Sequence, residues 1–342
     1  MSVITVIPGD GIGPEVIEQA LETLDVLGLD VDIDVLDHIN AGTYLRDGAA
    51  MTDRDLERIR RSRATLLGAV GDPRLSSPEY ARGVLLRLRF ELDLYVNYRP
   101  VTLWHPRLSP LRDSAGGGLN CLIIRENSEG LYAGVGGRLR ADTEHEVAID
   151  AEISTWHGVS RVIDFAFSVA RTKVCMVDKS NAVPHGGRLW QRCWRHQVGE
   201  HPGIAASHLY VDTAAMALVA DPAAFDVIVT NNSYGDILSD LAAELAGGVG
   251  TAASVNLNAE TGYGVYEPVH GSAPDIAGQG LANPVGAVLS TALMVERLGH
   301  RAEADAMRRA VGAAITARRC TPDLGGSLTT KDAGAAIRAE LE

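Results

Sequence analysis

The sequence predicts an α/β protein with about two domains or one large bilobal fold. Its first half alternates short apolar runs with segments of helical periodicity, which is typical of strands connected by helices. The chain has 342 residues, more than one compact core usually takes. Apolar residues make up 46% of it and charged residues 22%, so it can bury a sizeable core.

The pattern predicts each element in turn. The apolar runs that predict strands are residues 2–7, 31–36, 64–70, 120–125, 173–177 and 225–230. The periodic segments that predict helices are residues 14–27, 52–62, 85–94, 158–170, 236–245, 285–297 and 302–317. Residues 137–152 are polar with strand-like alternation, which predicts an arm. We expect domain boundaries at element ends, near Arg99-Pro100 and near Gly247.

Composition excludes several classes of protein. No segment reaches the ~18 apolar residues of a membrane helix. The apolar start ends at Pro8-Gly9-Asp10 without a basic flank or a small-residue cleavage site, so we expect a buried strand there and no signal peptide. Four cysteines without a CxxC pair are typical of a reduced, cytoplasmic protein that has neither disulfides nor a zinc knuckle. They are Cys121, Cys175, Cys193 and Cys320.

The charge pattern disfavours a nucleic-acid partner. The net charge is −13, and only 3 of the 31 basic residues are lysines, so each lysine calls for a reason. No Lys or Arg occurs between Arg195 and Arg297, although Asp and Glu continue through that stretch. Such a segment repels phosphate backbones and is suited to holding a divalent cation.

Residues 9–15, GDGIGPE, follow the first predicted strand and open a helix. Their spacing differs from the dinucleotide fingerprint GxGxxG, whose third glycine comes one place later. Two interpretations stay open. The segment is either a tight turn, with Pro14 at the first helical position and Glu15 favouring the helix dipole, or a loop that faces a ligand.

Asp236 and Asp240 follow a predicted buried strand and lie four residues apart, so on a helix both carboxylates project from one face. Two like charges there repel each other unless a cation lies between them, and hard divalent ions prefer such oxygen ligands. The alternative is that Asp236 caps the helix and Asp240 faces water.

Lys179 lies just past the carboxyl end of the predicted strand 173–177, where α/β folds place ligands. A partly desolvated lysine beside a metal-bound hydroxyl could lose its proton and act as a base. An ordinary turn lysine is the alternative.

Three arginines lie where a guanidinium fork could bind a carboxylate. Arg89 is on a predicted helix, Arg99 precedes Pro100 at an expected element end, and Arg125 ends a predicted strand. Each one alone could equally be solvated or salt-bridged. Tyr132, seven residues after Arg125, is either a general acid or a half-buried core tyrosine.

Residues 267–278, EPVHGSAPDIAG, predict a stiff loop of small residues and prolines with exposed backbone N–H groups. Such a loop is suited to wrapping a nucleotide. A lone histidine is more often structural, but Gly271 and Ser272 next to His270 favour a ligand contact.

Together these segments resemble the β-decarboxylating dehydrogenase family, which includes isopropylmalate, isocitrate, homoisocitrate and tartrate/D-malate dehydrogenases. The resemblance runs from residues 9–15 to residues 321–326, and the segments 235–240 and 267–278 are its most specific parts. It implies a bilobal fold with a large mixed sheet, distinct from a Rossmann fold. It also implies a homodimer with shared active sites.

The resemblance divides the chain into two lobes. Residues 1–98 and 247–342 would form the nucleotide-binding lobe, and residues 99–246 the lobe for substrate, metal and dimerisation. The arm near residues 137–152 would clasp the partner.

The resemblance also implies roles for individual residues. Lys179 would take the hydroxyl proton, and Tyr132 would protonate the enol intermediate. Asp236, Asp240 and, from the neighbouring subunit, Asp212 would hold Mg²⁺ or Mn²⁺, although Asp212 alone reads as a helix cap. The expected substrate-binding residues are Arg89, Arg99, Arg125, Leu85, Leu86, Asn181 and Ala182. The expected cofactor-binding residues are Ile12, Gly71, Glu267, His270, Gly271, Ser272, Ala273, Asp275, Ile276 and Asn283.

Asp275 predicts NAD as the cofactor. In members of the family that use NAD, an acidic residue follows the Ala-Pro of this loop and contacts the adenosine ribose, whereas NADP users have a lysine and a tyrosine there. No Lys or Arg occurs within twenty residues of Asp275 on either side. A 2′-phosphate would therefore face a carboxylate without a neutralising cation.

The predicted substrate helix favours an apolar substituent on a malate. Leu85 and Leu86 resemble the pair that isopropylmalate enzymes place against the alkyl group, but tartrate/D-malate enzymes carry this pair too. The arginine of homoisocitrate enzymes at Leu86 and the serine of isocitrate enzymes at Gly83 are absent. Arg82 stands where the isopropylmalate pattern has a glutamate. An anionic substituent reached by Arg82 or Arg87 is the alternative.

Two other classes of function stay open at this point. A non-catalytic regulatory subunit would keep the fold and lose ligands, which the retention of Lys179 and Tyr132 disfavours. A metal-dependent phosphate-ester hydrolase could use Asp236 and Asp240 but would not need the loop 267–278. An assay for NADH distinguishes these classes.

Overall fold

The computed structural model describes residues 2–75, 77–111 and 118–341. Within these ranges ten strands form one sheet, and a further pair, β6 and β7, forms a separate hairpin. The predicted α/β class with a large mixed sheet is confirmed. The strands are β1 Ser2–Gly9, β2 Val31–Val35, β3 Ala64–Ala69, β4 Val96–Thr102, β5 Asn120–Glu126, β6 Gly136–Leu139, β7 Val147–Asp150, β8 Lys173–Asp178, β9 Ala205–Tyr210, β10 Val227–Thr230, β11 Ala253–Leu257 and β12 Gly264–Pro268.

The helices connect the strands and cover the sheet. They are α1 Gly13–Val26, α2 Ala41–Asp47, α3 Asp53–Arg61, α4 Glu79–Ala81, α5 Arg87–Glu91, α6 Trp156–Val169, α7 Pro184–Glu200, α8 Val211–Ala220, α9 Asn232–Leu245, α10 Val285–Arg297, α11 Arg301–Thr316 and α12 Thr330–Arg338. No helix in the described ranges is long and apolar enough to cross a membrane.

The sheet has the order β2-β1-β3-β12-β11-β4-β5-β10-β8-β9. β1, β2, β3 and β12 are parallel to one another, as are β5, β10, β8 and β9. β11 pairs antiparallel with β12 and β4, and β4 pairs antiparallel with β5. Strands from both ends of the chain therefore lie on one side of the sheet and strands from its middle on the other. The division into two lobes stays a prediction.

The expectation that Arg99-Pro100 marks an element end is wrong, since both residues lie inside β4. Proline usually interrupts a sheet because it has no N–H to donate. Here β11 pairs with β4 only over Val96, Asn97 and Tyr98, so beyond Tyr98 one edge of β4 faces no strand. That free edge accommodates the proline.

The predicted helix at 85–94 begins earlier and ends earlier than expected. A continuous helical segment runs from Glu79 to Glu91 and consists of α4, a π-helical turn at Arg82–Leu86 and α5. Asp93, with φ of 46°, lies in the left-handed region and ends it. π-Helical turns are rare and are often found at functional sites.

The predicted helix at 236–245 begins four residues earlier, at Asn232, because the Asn231 side chain accepts a hydrogen bond from the Tyr234 N–H and caps it. The possibility that Asp236 caps this helix is therefore excluded. Asp212 is no cap either, since α8 begins at Val211.

One face of the sheet centre is apolar and the other is polar. Val255 and Leu257 of β11 pack in the same core as Val288 and Leu289 of α10. Because side chains alternate along a strand, Ser254 and Asn256 point to the opposite face. That face holds the site described next.

Candidate active site

The floor of the candidate site is a row of buried polar side chains on the central strands. β4 contributes Asn97 and Arg99, β11 contributes Asn256, β12 contributes Glu267 and β5 contributes Arg125. These strands are neighbours in the sheet, so their polar residues lie side by side. Buried polar groups in such number need partners, and each of these five side chains has at least one within 4.0 Å.

Arg125 and Arg99 are held against helix α9. The Arg125 Nε and Nη2 donate to Asn232 Oδ1 at 2.9 and 2.6 Å, and its Nη1 pairs with Asp236. The Arg99 Nη1 donates to Ser239 Oγ at 2.6 Å and lies 3.3 Å from Asp240 Oδ1. The two arginines are only 2% and 8% exposed. Both guanidinium groups are therefore fixed in position.

Arg89 completes a cluster of three guanidinium groups. Its Nη2 lies 4.0 Å from Glu267 Oε1, and its buried Nε has no hydrogen-bond partner among the described residues. Burial lowers the pKa of Arg125, and the charges of Arg99 and Arg89 lower it further, which shows that the three cations repel one another. An arginine stays protonated at neutral pH, so this cluster favours an anionic ligand.

Asp236 and Asp240 lie on one side of α9, where both face Arg99. Burial raises the pKa of Asp240, and the charge of Asp236 adds to this effect, as expected for two carboxylates that repel each other. Within the described ranges no group of three His, Cys, Asp or Glu side chains lies close enough to hold a metal. The pair is thus an incomplete set of hard oxygen donors.

Tyr132 lies in a 3₁₀ turn beside this cluster. Its hydroxyl is 3.3 Å from Asp236 Oδ2, and the Arg125 guanidinium lies 5.5 Å from its ring centre. Burial raises the pKa of Tyr132, and the negative charge of Asp236 raises it further. The phenol therefore keeps its proton, as a proton donor must.

Lys179 and Asp212 form a second group, apart from the first. The Lys179 Nζ donates to Asp212 Oδ1 at 2.6 Å, and this hydrogen bond lowers the pKa of Asp212. Lys179 follows β8 and Asp212 follows β9, which is paired with β8, so the sheet order itself brings them together. β10 lies between β8 and β5, which puts Lys179 about 10 Å across the sheet from Arg125.

The predicted specificity residues lie in two places. Leu85, Leu86 and Arg89 lie within about one turn of one another on the helical segment Glu79–Glu91, and Arg82 is exposed at the start of its π-helical turn. Arg87 points elsewhere and is held by Asp53 and by the carbonyl of Met51 at 2.8 Å. Asn181 and Ala182 are exposed in the turn after Lys179.

The segments predicted to bind the cofactor meet at the ends of β1, β3 and β12. The Ile12 N–H donates to the Ser272 carbonyl at 2.9 Å. Gly11 has φ of 57°, and a Cβ there would lie 1.9 Å from the same carbonyl, so this close approach requires glycine. Gly71 lies on the other side of Ser272, where a Cβ would be 3.4 Å from Ser272 Oγ.

Asp10 forms hydrogen bonds both to the turn at Gly71 and to Tyr80 of the helical segment Glu79–Glu91. Its buried carboxylate accepts from the N–H groups of Gly71 at 2.9 Å and Ala41 at 2.7 Å, and from the hydroxyl of Tyr80. Asp10 is thus a structural turn residue, but the turn it holds includes Gly71. The structure confirms that the segment 9–15 forms a turn before α1, and the interpretation that it faces a ligand stays a prediction.

Two side chains of the loop after β12, His270 and Asp275, have polar groups without a partner among the described residues. Burial lowers the pKa of His270, and its Nε2 is buried without a partner among the described residues. Asp275 is exposed and pairs with no Lys or Arg within the described ranges. Asn283 is occupied otherwise, since it donates to Asp323 at 2.8 Å and accepts from the Val285 N–H. Gly271, Ala273 and Ile276 complete the loop, with Ala273 at φ of 38°.

Sequence reasoning missed the asparagines of the floor and the contacts of α9. Asn97, Asn127 and Asn256 are almost fully buried, and Asn232 holds Arg125. A signal was present, since polar residues alternate with apolar ones in 96–99 and 253–256. This alternation did not indicate a site, because β4 and β11 themselves were not predicted as strands.

Comparison with known proteins identifies the family. The isocitrate/isopropylmalate dehydrogenase family matches residues 3–337. The 3-isopropylmalate dehydrogenase of Leifsonia xyli is 47% identical over 327 residues, which are 92% of this chain and 91% of that protein. The 3-isopropylmalate dehydrogenase of Corynebacterium kroppenstedtii is 44% identical over 347 residues, with 99% of each chain covered.

Solved structures agree. The isocitrate dehydrogenase of Methylococcus capsulatus superposes with a TM-score of 0.89 at 36% identity and covers 100% of this chain and 99% of its own. A β-decarboxylating dehydrogenase of Thermococcus kodakarensis superposes with a TM-score of 0.82 at 37% identity, over 100% and 96% of the two chains. The resemblance and the enzyme class predicted above are confirmed: the chain belongs to the isocitrate/isopropylmalate dehydrogenase family and is a β-decarboxylating dehydrogenase, an oxidoreductase.

Proposed function

We propose that this protein is an NAD-dependent dehydrogenase that oxidises and decarboxylates a 3-substituted malate with an apolar substituent, as isopropylmalate has. One observation carries the proposal. Arg89, Arg99 and Arg125 converge on one face of the sheet beside Asp236 and Asp240, with the buried Arg89 Nε unpartnered among the described residues. The carboxylates of a 2-hydroxy diacid would supply a partner for the Arg89 guanidinium, which makes no close ion pair in the described residues, and guanidinium forks bind carboxylates with defined orientation.

Asp236 and Asp240 fit a divalent cation, since their carboxylates lie together and repel each other without one. The loop after β12 fits NAD, since His270 Nε2 is buried without a partner and Asp275 is free of cations within the described ranges. When bound, NAD supplies the hydride acceptor, and Mg²⁺ or Mn²⁺ supplies a Lewis acid for the electrons released with CO₂.

Two residues of this chain handle protons in the proposed reaction. Lys179 takes the proton of the substrate hydroxyl as the hydroxyl-bearing carbon is oxidised. Tyr132, whose pKa is raised by burial and by Asp236, keeps its phenolic proton for the enol left after CO₂ departs. The three arginines hold the diacid while both transfers take place.

We also propose that the functional unit is a homodimer with shared sites. Lys179 and Asp212 are bound to each other within one chain, so if a second copy lends Asp212 to the metal, it lends Lys179 too. Met216 of α8 and Ile237 of α9 are 65% and 63% exposed, which is a large apolar exposure next to these residues. The exposed hairpin of β6 and β7 would be the arm that a partner contacts. The same proposal includes two lobes, one formed by residues 1–98 and 247–342 and the other by residues 99–246. It also includes a cytoplasmic location.

An anionic substituent is a second candidate, which Arg82 favours. Arg82 is exposed at the start of the π-helical turn that carries Leu85, and it forms no ion pair within the described ranges. Its guanidinium lies against Gly134, two residues after Tyr132, since a Cβ on Gly134 would be 1.9 Å from Arg82 Nη2.

A substrate panel tests the proposal. NADH formation is measured with 3-isopropylmalate, D-malate, tartrate, isocitrate and homoisocitrate in the presence of NAD and Mn²⁺. We expect the highest kcat/KM with isopropylmalate. A preference for isocitrate or homoisocitrate supports the anionic substituent, and absence of NADH with every diacid refutes the proposed function.

A further inference from the structure

We propose that Asn256 is a positioning residue that links the supports of Arg89 and Arg99 and so holds the two guanidinium groups in register for one diacid. The assignment rests on the proposed function, since it concerns the site for that diacid. Asn256 is 2% exposed on β11, on the polar face of the sheet, and touches neither guanidinium itself.

One branch of contacts runs from Asn256 to Arg99. The Asn256 Oδ1 accepts from Asn97 Nδ2 at 3.2 Å, and Asn97 Oδ1 accepts from Arg99 Nε at 2.6 Å. The Asn97 amide is also held by Ser254 Oγ at 2.9 Å. The orientation of the Arg99 guanidinium therefore depends on an amide that Asn256 orients.

A second branch runs from Asn256 to Arg89. The Asn256 Nδ2 donates to Glu267 Oε1 at 2.6 Å, and the same oxygen lies 4.0 Å from Arg89 Nη2. Because Asn256 binds the Glu267 carboxylate, this carboxylate does not form a close ion pair with Arg89. This leaves the Arg89 fork available for a ligand carboxylate.

A third contact reaches the segment that carries Arg125 and Tyr132. The Asn127 Nδ2 donates to Asn256 Oδ1 at 2.9 Å and to the Leu94 carbonyl at 2.9 Å. Asn256 thus contacts one side chain from each of three neighbouring segments: Asn97 of β4, Glu267 of β12 and Asn127, which follows β5.

Only an amide side chain of this length meets both demands. The two donors from Asn97 and Asn127 require an acceptor, and the Glu267 carboxylate requires a donor, which fixes the orientation of the amide. Aspartate has the same shape but presents an acceptor to Glu267. Alanine removes one hydrogen bond from each of the three partners, Asn97, Asn127 and Glu267.

The chain offers a matched control two residues further on. Asn258 is 6% exposed and also holds backbone groups, since its Oδ1 accepts from the N–H groups of Glu260 and Thr261 at 3.0 Å and its Nδ2 donates to the Leu92 carbonyl at 3.3 Å. None of these hydrogen bonds reaches a residue assigned to the site. N258A therefore reports the cost of losing a buried asparagine alone.

The test measures binding of the diacid by calorimetry in the presence of Mn²⁺ and without NAD, together with KM and the melting temperature. We expect N256A to weaken diacid binding and to raise its KM about tenfold or more, since misplaced binding groups lose orientation. N258A should lower the melting temperature comparably and keep diacid binding within about twofold of wild type. Should N256A fail to fold, the isosteric N256D carries the test, with the same expected loss of binding.

Diacid binding within twofold of wild type in a folded N256A or N256D overturns the assignment, as does an equal loss of binding in N258A. A wild-type protein that binds and oxidises no diacid at all overturns the proposed function, and the assignment with it. The first two results leave the proposed function standing, so the two failures are distinguishable.

Discussion

The arginine cluster and the Lys179–Asp212 pair are built in opposite ways. Arg99 and Arg125 are nearly inaccessible and are held by several side chains each, whereas Asp212 has 60% of its side chain exposed and pairs with one side chain of the described residues, Lys179. A buried cation is costly unless it is paired, and here Asp236 and Asp240 pair with both guanidinium groups, so the first group is fixed before any ligand binds. The second group costs little, because solvent screens it.

One chain therefore completes only part of its proposed site. Its own fold fixes the half that we propose to bind the anion. The half with the proposed base lies at an exposed edge beside Met216 and would gain its final surroundings from a second copy.

Replacement of the proposed base should cost the most. K179M should lower kcat about 10³-fold or more while the dissociation constant of NAD changes less than about twofold, because the base acts in the chemical step alone. Stopped-flow and fluorescence titration measure the two quantities. K173M is the control, since Lys173 begins the same strand at its far end. An active K179M would remove Lys179 from the mechanism.

Mixing two inactive variants tests whether the site is shared. K179M and D236N, unfolded together and refolded, should recover about a quarter of the wild-type activity, because half of the random dimers are mixed and each has one intact site. Each variant refolded alone should stay inactive. If one chain supplied both residues, the mixture would stay inactive as well.

Cofactor choice should show a smaller difference. We expect kcat/KM with NAD to exceed that with NADP by about 10²-fold, since a 2′-phosphate would face the Asp275 carboxylate without a paired cation. D275N should reduce the preference, and D323N, whose aspartate binds Asn283 instead, should not. Equal use of the two cofactors would contradict the assignment of Asp275.

The smallest effect concerns Asp226, a buried carboxylate just before β10 that backbone N–H groups and Arg171 hold. Burial alone would raise the pKa of Asp226, but hydrogen bonds from the Thr172 and Lys173 N–H groups and the ion pair with Arg171 outweigh it and lower this pKa to about 2. The folded pKa is below the unfolded value of 3.8, so the stabilisation is complete above about pH 4 and is lost as the pH falls towards 2.

We therefore expect D226N to lower the free energy of unfolding at pH 7 by about 2 kcal/mol. Urea unfolding between pH 2 and 7 measures it. The variant should lose less stability on acidification than wild type does. Parallel curves for the two proteins would show that Asp226 does not contribute through its charge.

Local patterns predicted the parts of the site that one element contains. Asp236 and Asp240 share a helix, so their spacing of four residues is enough to place them on one side of it. The end of a strand predicted the place of Arg125 in the same way. Such inferences succeed because helix and strand periodicity are properties of a few neighbouring residues.

Contacts between distant segments could not be predicted from those patterns. Lys179 meets Asp212 because β8 and β9 are neighbours, and Asn97 lies opposite Asn256 because of the register between β4 and β11. Strand order and register depend on the whole sheet. β4 also escaped prediction because Pro100 indicates a break in most sheets.

The π-helical turn at Arg82–Leu86 makes chain length, and not residue identity alone, a determinant of this site. Such a turn accommodates one residue more than a regular turn. Deleting a single residue there would let the turn wind as a regular α-helix, so Tyr80 before it and Arg89 after it would keep their faces. The side chains inside the turn, Leu85 among them, would be spaced differently along the site. Among relatives, a one-residue gap in this helix would accordingly mark a differently shaped site even where every aligned side chain is the same.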